Sequence, residues 1–191
     1  YDGNAMQCKK PFPRIAFKDL LKKYALISDY DAETRVGLSL RARQLGIDSP
    51  PHESKGKIAD EIYKKIARPK LIQPVFVVNH PLDISPLAKK RVENPAEVRR
   101  FQLIAGGMEL ANAFSELNDP LDQRERFVEQ EGMRGSGEEE AHRIDEDYIE
   151  AMEYGMTPEA GLGIGIDRLV MLLTNVKNVR EVVLFPTLRP K

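Results

Sequence analysis

Two stretches of the sequence hold residue types suited to ligand chemistry. The first, Gly161-Leu162-Gly163-Ile164-Gly165-Ile166-Asp167-Arg168, alternates glycine with branched aliphatic residues and ends in an acid and a guanidinium. Alternate residues of a strand share a face, so Gly161, Gly163, Gly165 and Asp167 fall on one side. Leu162, Ile164 and Ile166 fall on the other and are expected to pack into a core. A face without side chains lets a flat ligand reach the backbone. Arg168, at the start of a buried helix, is placed to stack on a purine and pair with phosphate oxygens. A packing role competes: the glycines would allow a close helix–sheet contact and Arg168 would sit in a structural salt bridge. A dinucleotide fingerprint is excluded, because the spacing differs and no βαβ unit with a later acid follows.

The second stretch runs from Glu109 to Asp119. Strand parity puts Asn112, Phe114 and Glu116 on one face, roughly 6–7 Å between neighbours. An amide, a ring and a carboxylate in line suit a small ligand with an alkyl stem and an ammonium group. The same mixture also occurs on solvated strand faces. Regular parity sets Glu109 opposite Asn112 and Glu116, so a bulge or strong twist is required if all serve one site.

Several elements are needed to position these residues. Asp19–Tyr24 has the pattern of a short amphipathic helix, and 31–45 that of a second, with Val36, Leu40 and Leu45 on its apolar side. Residues 46–56 form a loop rich in Pro, Ser and Gly. Residues 57–67 return to helical spacing through Ile58, Ile62 and Ile66 until Pro69. From residue 74 the period changes: Val75–Val78 predicts a buried strand, and 99–104 with 108–115 a hairpin around Gly106-Gly107. Asp119-Pro120 is an N-cap with proline at the first helical position, opening a helix to about Glu131. A flexible break over 132–137 precedes a helix over 138–154 with Ile144, Tyr148, Ala151 and Met152 inward. A strand over 161–166, a buried helix over 169–173 and a strand over 182–185 complete the chain. The class is α+β with a mostly antiparallel sheet and flanking helices, in one domain: 1–72 mostly helical, 73–191 carrying the sheet.

Bulk properties narrow the function. Of the 191 residues 41% are hydrophobic and 31% charged, enough for a packed core. With 29 basic and 30 acidic side chains the net charge is −1, so no overall basic excess marks a nucleic-acid surface. Cys8 alone excludes an internal disulfide or a Cys-based zinc site, and predicts a reducing, cytoplasmic compartment. No run reaches the ~20 apolar residues of a membrane span. His52, His80 and His142 form no ligand pattern. Glu138-Glu139-Glu140 is expected to be a solvated helix start, and Lys89-Lys90-Arg91 a solvated turn.

Gly161–Arg168, continued by Leu169-Val170-Met171-Leu172-Leu173-Thr174, resembles motif 3 of the class II aminoacyl-tRNA synthetases. Glu109–Asp119 with Asp122–Phe127 is similar to the preceding stretch of the bacterial-type lysyl-tRNA synthetases. His80–Lys89, Asp145–Tyr148, Glu153–Gly155 and Leu184–Pro190 extend the likeness from about Pro11 to the C-terminus. The resemblance implies ATP-dependent condensation of lysine to lysyl-adenylate and its transfer to tRNA(Lys), by a homodimer, with Mg2+ accompanying ATP. It implies that Glu116 receives the lysine ε-ammonium beside Asn112 and Phe114, and that Arg168 stacks on adenine over Gly161, Gly163, Gly165 and Asp167. Glu109 would bind Mg2+, and Gln102 stands where the family has its second metal-binding glutamate. An amide there still offers an oxygen, but one negative charge is lost.

Motif 1, motif 2 and the anticodon-binding domain are not found in the sequence. The chain is thus expected to be part of a catalytic domain and inactive alone, since losing one such transition-state contact costs ~2.7–4 kcal/mol. Two alternatives remain open: a paralogue that lysylates a protein or lipid, and a non-catalytic lysine-binding or interaction module.

Overall fold

The computed structural model describes residues 1–51, 53–135 and 143–187. His52, His142, Glu138–Glu140 and the last residues of the C-terminal likeness lie outside the described residues. Five strands form one sheet in the order β1-β2-β3-β4-β5. They are β1 (Arg14–Ala16), β2 (Val75–Val78), β3 (Arg100–Ala105), β4 (Met108–Ser115) and β5 (Ala160–Ile164). β1 runs parallel to β2 and every other pair is antiparallel. The α+β class and the mostly antiparallel sheet agree with expectation.

Helices cover one half of one sheet face. α1 (Phe17–Ala25) buries Phe17, Leu20, Leu21 and Ala25, spaced for one stripe of a helix, and ends on Leu26 in the left-handed conformation. α2 (Arg35–Gln44) is capped by the Thr34 side chain, and α3 (Lys55–Ile62) by Ser54. The helical path continues from α3 through a wide π-type turn at Tyr63–Ala67 and a 3-10 turn at Arg68–Lys70. These elements and β2–β3 enclose a core that includes Leu20, Leu38, Ile58, Ile62, Tyr63, Val77 and Ile104. A smaller cluster joins Phe127 of α4 (Pro120–Gly135) to Ile149 and Met152 of α5 (Glu146–Glu153).

The β3–β4 turn is Gly106-Gly107, both at positive φ. Two left-handed residues give the turn whose twist matches the flanking strands, and only glycine adopts them without strain.

Several expectations are corrected. α2 turns Leu38, Ser39 and Ala42 inward and leaves Val36 and Leu40 exposed. Two stripes of period four compete on that helix, and arginines settle its rotation. Arg41 Nε donates to the Ala25 carbonyl at 2.8 Å, and Arg35 donates to the carbonyls of Pro50, Pro51 and Glu53. α4 runs on through Gly132 to Gly135 instead of breaking, because an exposed helical glycine costs only ~1 kcal/mol. α5 starts at Glu146, where Asp145 accepts from the Tyr148 N–H at 2.9 Å, and its Ala151 faces solvent. α6 (Ile166–Thr174) is not buried; only its Met171 is. Val182–Phe185 forms no strand, with Leu184 and Phe185 88% and 91% exposed.

The cause of the last two is shared. β5 is an edge strand, and nothing among the described residues covers its second face, so Leu162 (61%) and Ile164 (54%) are bare where a core was expected. Ile166 is equally exposed at the start of α6.

Candidate functional site

Cross-strand partners share a sheet face, and register therefore assembles the site. Gln102 pairs with Asn112 and Asn112 with Gly163; Arg100 pairs with Phe114 and Phe114 with Gly161. Arg100, Gln102, Asn112, Phe114, Gly161 and Gly163 thus occupy one face of the β3–β5 half, beyond the helical layer. The required bulge is present. Leu103 pairs with Ala111, but Ile104 pairs with Glu109, so Leu110 is an extra residue on β4. That single insertion flips parity and brings Glu109 onto the Gln102–Asn112 face, where Gln102 Nε2 donates to Glu109 Oε2 at 2.9 Å.

The glycines have unequal roles. A Cβ on Gly161 would lie 2.5 Å from Glu116 Oε1, so glycine there makes room for that carboxylate. Gly163 and Gly165 meet only ordinary contacts at 3.7–3.8 Å, those of Gly165 with the Leu110 carbonyl and the Arg168 side chain of α6, so no tight helix–sheet approach demands glycine there. The packing explanation therefore lacks its contact, whereas a bare floor beside Asn112 is what the strand provides. Asp167 does not share that face: β5 ends at Ile164, and Asp167 sits exposed in the first turn of α6. Arg168 donates from its guanidinium to the Glu109 carbonyl at 3.1 Å and, among the described residues, forms no ion pair. Its expected salt-bridge alternative is not found, and its charge stays available at the mouth of the strip.

Glu116 ends the strip. Its backbone N–H donates to the Glu159 carbonyl at 3.0 Å. Partial burial, and then the nearby Glu159 charge, push the Glu116 carboxyl above its ordinary range. Tyr148 is close enough that burial first, and then the charges of Glu116 and Glu159, raise its hydroxyl as well. This end is an uncompensated acidic corner, where a cation relieves like-charge repulsion. The other end is cationic, with Arg168 at the rim and Arg100 behind Asn112.

Arg100, Tyr63, Tyr148 and Glu159 were not singled out as site residues in the sequence. Arg100 donates Nε to Asn112 Oδ1 at 3.1 Å, and Nη1 to Ser85 Oγ at 2.9 Å and to the Ile84 carbonyl at 3.3 Å. Burial lowers its pKa from the ordinary value, against the opposing charges of Asp60, Glu109 and Tyr63. A donor-only group on Oδ1 fixes which way the amide points, so Asn112 offers its NH2 to the strip. The signal was in register alone: Arg100 sits opposite Phe114. Arg100→Lys keeps the charge but loses the planar Nε donor. We expect it to leave the fold intact and to weaken binding of a carboxylate-bearing ligand by about tenfold, the size of one hydrogen bond of ~1.4 kcal/mol, in calorimetric titration.

Residues 2–189 match the family of class II tRNA synthetases of the D, K and N type. The chain belongs to this family. It is 47% identical over 191 residues to the lysine–tRNA ligase of Moorella thermoacetica, covering 100% of this chain and 39% of that protein. It is 47% identical over 194 residues to that of Pelotomaculum thermopropionicum (100% and 38%), and 46% identical over 191 residues to that of Syntrophomonas wolfei (100% and 39%). The chain thus spans less than two fifths of the length of these curated relatives. No helix among the described residues is long and apolar enough to cross a membrane.

Class II synthetase membership raises the question of the metal. Glu109 has an oxygen, Oε1, that no donor among the described residues engages. Gln102 does not fit a ligand role, because its Oε1 already accepts from the buried Tyr63 hydroxyl at 3.1 Å and its nitrogen faces Glu109. No group of three or more His, Cys, Asp or Glu gathers in a metal-holding arrangement among the described residues.

Proposed function

We propose that this chain carries the lysine-binding strip and part of the ATP-binding floor of a lysine–tRNA ligase catalytic domain. The intact protein activates lysine with ATP and transfers it to tRNA(Lys), as a cytoplasmic homodimer, with Mg2+ arriving on ATP. The observation that carries the reading is the polarity of the strip. Glu116, beside Glu159 and Tyr148, forms an acidic end, Phe114 and Gly161 an apolar and open middle, and the Arg100-oriented Asn112 amide a donor end. Lysine matches this order with its ε-ammonium, alkyl stem and carboxylate. The names of the relatives support the same ligand.

In the reaction a lysine carboxylate oxygen attacks the α-phosphorus of ATP, the bond to the bridging oxygen breaks, and pyrophosphate leaves. Positioning is this chain's contribution. Asn112 donates to the carboxylate, Glu116 holds the far end, and Arg168 lies where a purine passes over Gly163 and Gly165. Arg100 is engaged by Asn112, Ser85 and Ile84, so among the described residues Arg168 is the cation the strip offers to phosphate, and the 191 residues are proposed to be one part of the catalytic domain.

Lysine-dependent exchange of pyrophosphate into ATP tests this. The intact protein is expected to be active, its Glu116→Gln variant to lose most of that activity, and the 191-residue chain alone to show negligible exchange. Exchange by the chain alone near the intact rate would overturn the proposal.

A further inference from the structure

The pairing at Gln102 differs in kind from a weakened metal site. Tyr63 is fully buried, its ring 5.1 Å from that of Phe17, and it opens the π-type turn at Tyr63–Ala67. Such turns re-aim a side chain by one position relative to a regular helix. Here the hydroxyl reaches Gln102 Oε1 at 3.1 Å, and Gln102 Nε2 reaches Glu109 Oε2 at 2.9 Å, so the three form one directed chain. The orientation of the amide follows from chemistry: an ionised carboxylate accepts only, so it draws the NH2 and leaves the oxygen to the phenol. Burial holds the Tyr63 hydroxyl well above its ordinary pKa, and it remains a donor.

We propose that Tyr63 and Gln102 are positioning residues that hold Glu109 as a single carboxylate, so that a divalent cation at this face meets one protein oxygen, Glu109 Oε1, and Gln102 is no ligand. To ligate, Gln102 must turn its oxygen out. That turn gives up the bond to Glu109 and sets the amide NH2 against the Tyr63 hydroxyl, whose own proton then has no acceptor in the core, which opposes metal binding. The cation is therefore held chiefly by the phosphates it arrives with. The proposal depends on the lysine–tRNA ligase reading only for why a cation comes here.

Mn2+ alone is the probe, followed by electron paramagnetic resonance on the 191-residue chain. The wild-type chain is expected to bind only at millimolar concentration or above, on the order expected for so few ligands, and Gln102→Leu, which releases Glu109 Oε2, to bind no more weakly. Gln102→Glu creates a carboxylate pair and is expected to bind about 10- to 100-fold more tightly, the gain vanishing in Gln102→Glu combined with Glu109→Gln. Should Gln102→Glu fail to fold, the comparison of wild type with Gln102→Leu still decides. A fall of tenfold or more on Gln102→Leu overturns the proposal, as does a folded Gln102→Glu with no gain.

Nuclear magnetic resonance of the Gln102 side-chain amide separates positioning from mere packing. In the wild type these resonances are expected to stay fixed on addition of Mg2+, and in Tyr63→Phe to move. Movement in the wild type contradicts the proposal. Lysine binding through Glu116 is read in separate titrations, so either reading can fail without the other.

Discussion

Acidification from pH 6.5 to pH 4 is expected to remove about 3 kcal/mol of stability through His80 alone, from the linkage of ~1.36 kcal/mol per pH unit per proton. His80 is 1% exposed, with its ring centroid 5.5 Å from that of Phe17. Its Nε2 faces the Val77 carbonyl at 3.3 Å, while the buried Nδ1 has no hydrogen-bond partner. Burial, and then the positive charge of Arg100, push its pKa down to about 3. The folded chain therefore keeps His80 neutral in a range where the unfolded chain protonates it. The contribution is fully present above the unfolded value near 6.5 and is lost as pH falls toward 3. His80→Phe fills the same space without titrating, and is expected to flatten the acid limb of a urea-denaturation series measured against pH. An equally steep limb in that variant would assign the acid lability elsewhere.

Glu116→Gln is expected to weaken lysine binding by at least ~30-fold, because removing one partner of a hydrogen-bonded charge pair costs about 2 kcal/mol or more. The same substitution is expected to raise the melting temperature at neutral pH. The Glu116 carboxyl is held above its ordinary range by burial and by Glu159. The charged form is thus disfavoured in the fold: stability is highest below the unfolded pKa and falls as pH rises through the folded one. An amide ends that penalty. A gain in stability with a loss of ligand marks a group kept for binding at the expense of the fold. Lysine affinity is expected to fall on acidification at a pH above the ordinary glutamate range, since protonated Glu116 has no charge to offer. A variant that loses affinity and stability together would make Glu116 a structural residue.

Much of this was legible in the sequence, for local reasons. The Gly106-Gly107 turn, the cap at Asp119, and the alternation of Asn112, Phe114 and Glu116 depend on neighbours a few residues away, and they form as expected. Even the need for a bulge followed from parity once Glu109 was set beside Asn112. Its position at Leu110 depended on pairing with β3, which one strand's pattern does not encode. Arg100 and Tyr63 enter the site through contacts to residues 12 and 39 positions away. The rotation of α2 likewise follows from arginines bonding distant carbonyls. The apolar face of Leu162 and Ile164 showed a core-facing pattern, and the pattern is real. What covers such a face is a property of its neighbours, and none of the described residues does so.

The most direct test of the central claim is a calorimetric titration of the 191-residue chain with lysine and, in parallel, with norleucine, which keeps the stem and carboxylate and lacks the ε-ammonium. The polarity of the strip predicts saturable lysine binding and norleucine binding weaker by ~30-fold or more, the difference set by the Glu116 charge pair. Equal affinity for the two would contradict it, since the acidic corner at Glu116 would then be reading nothing.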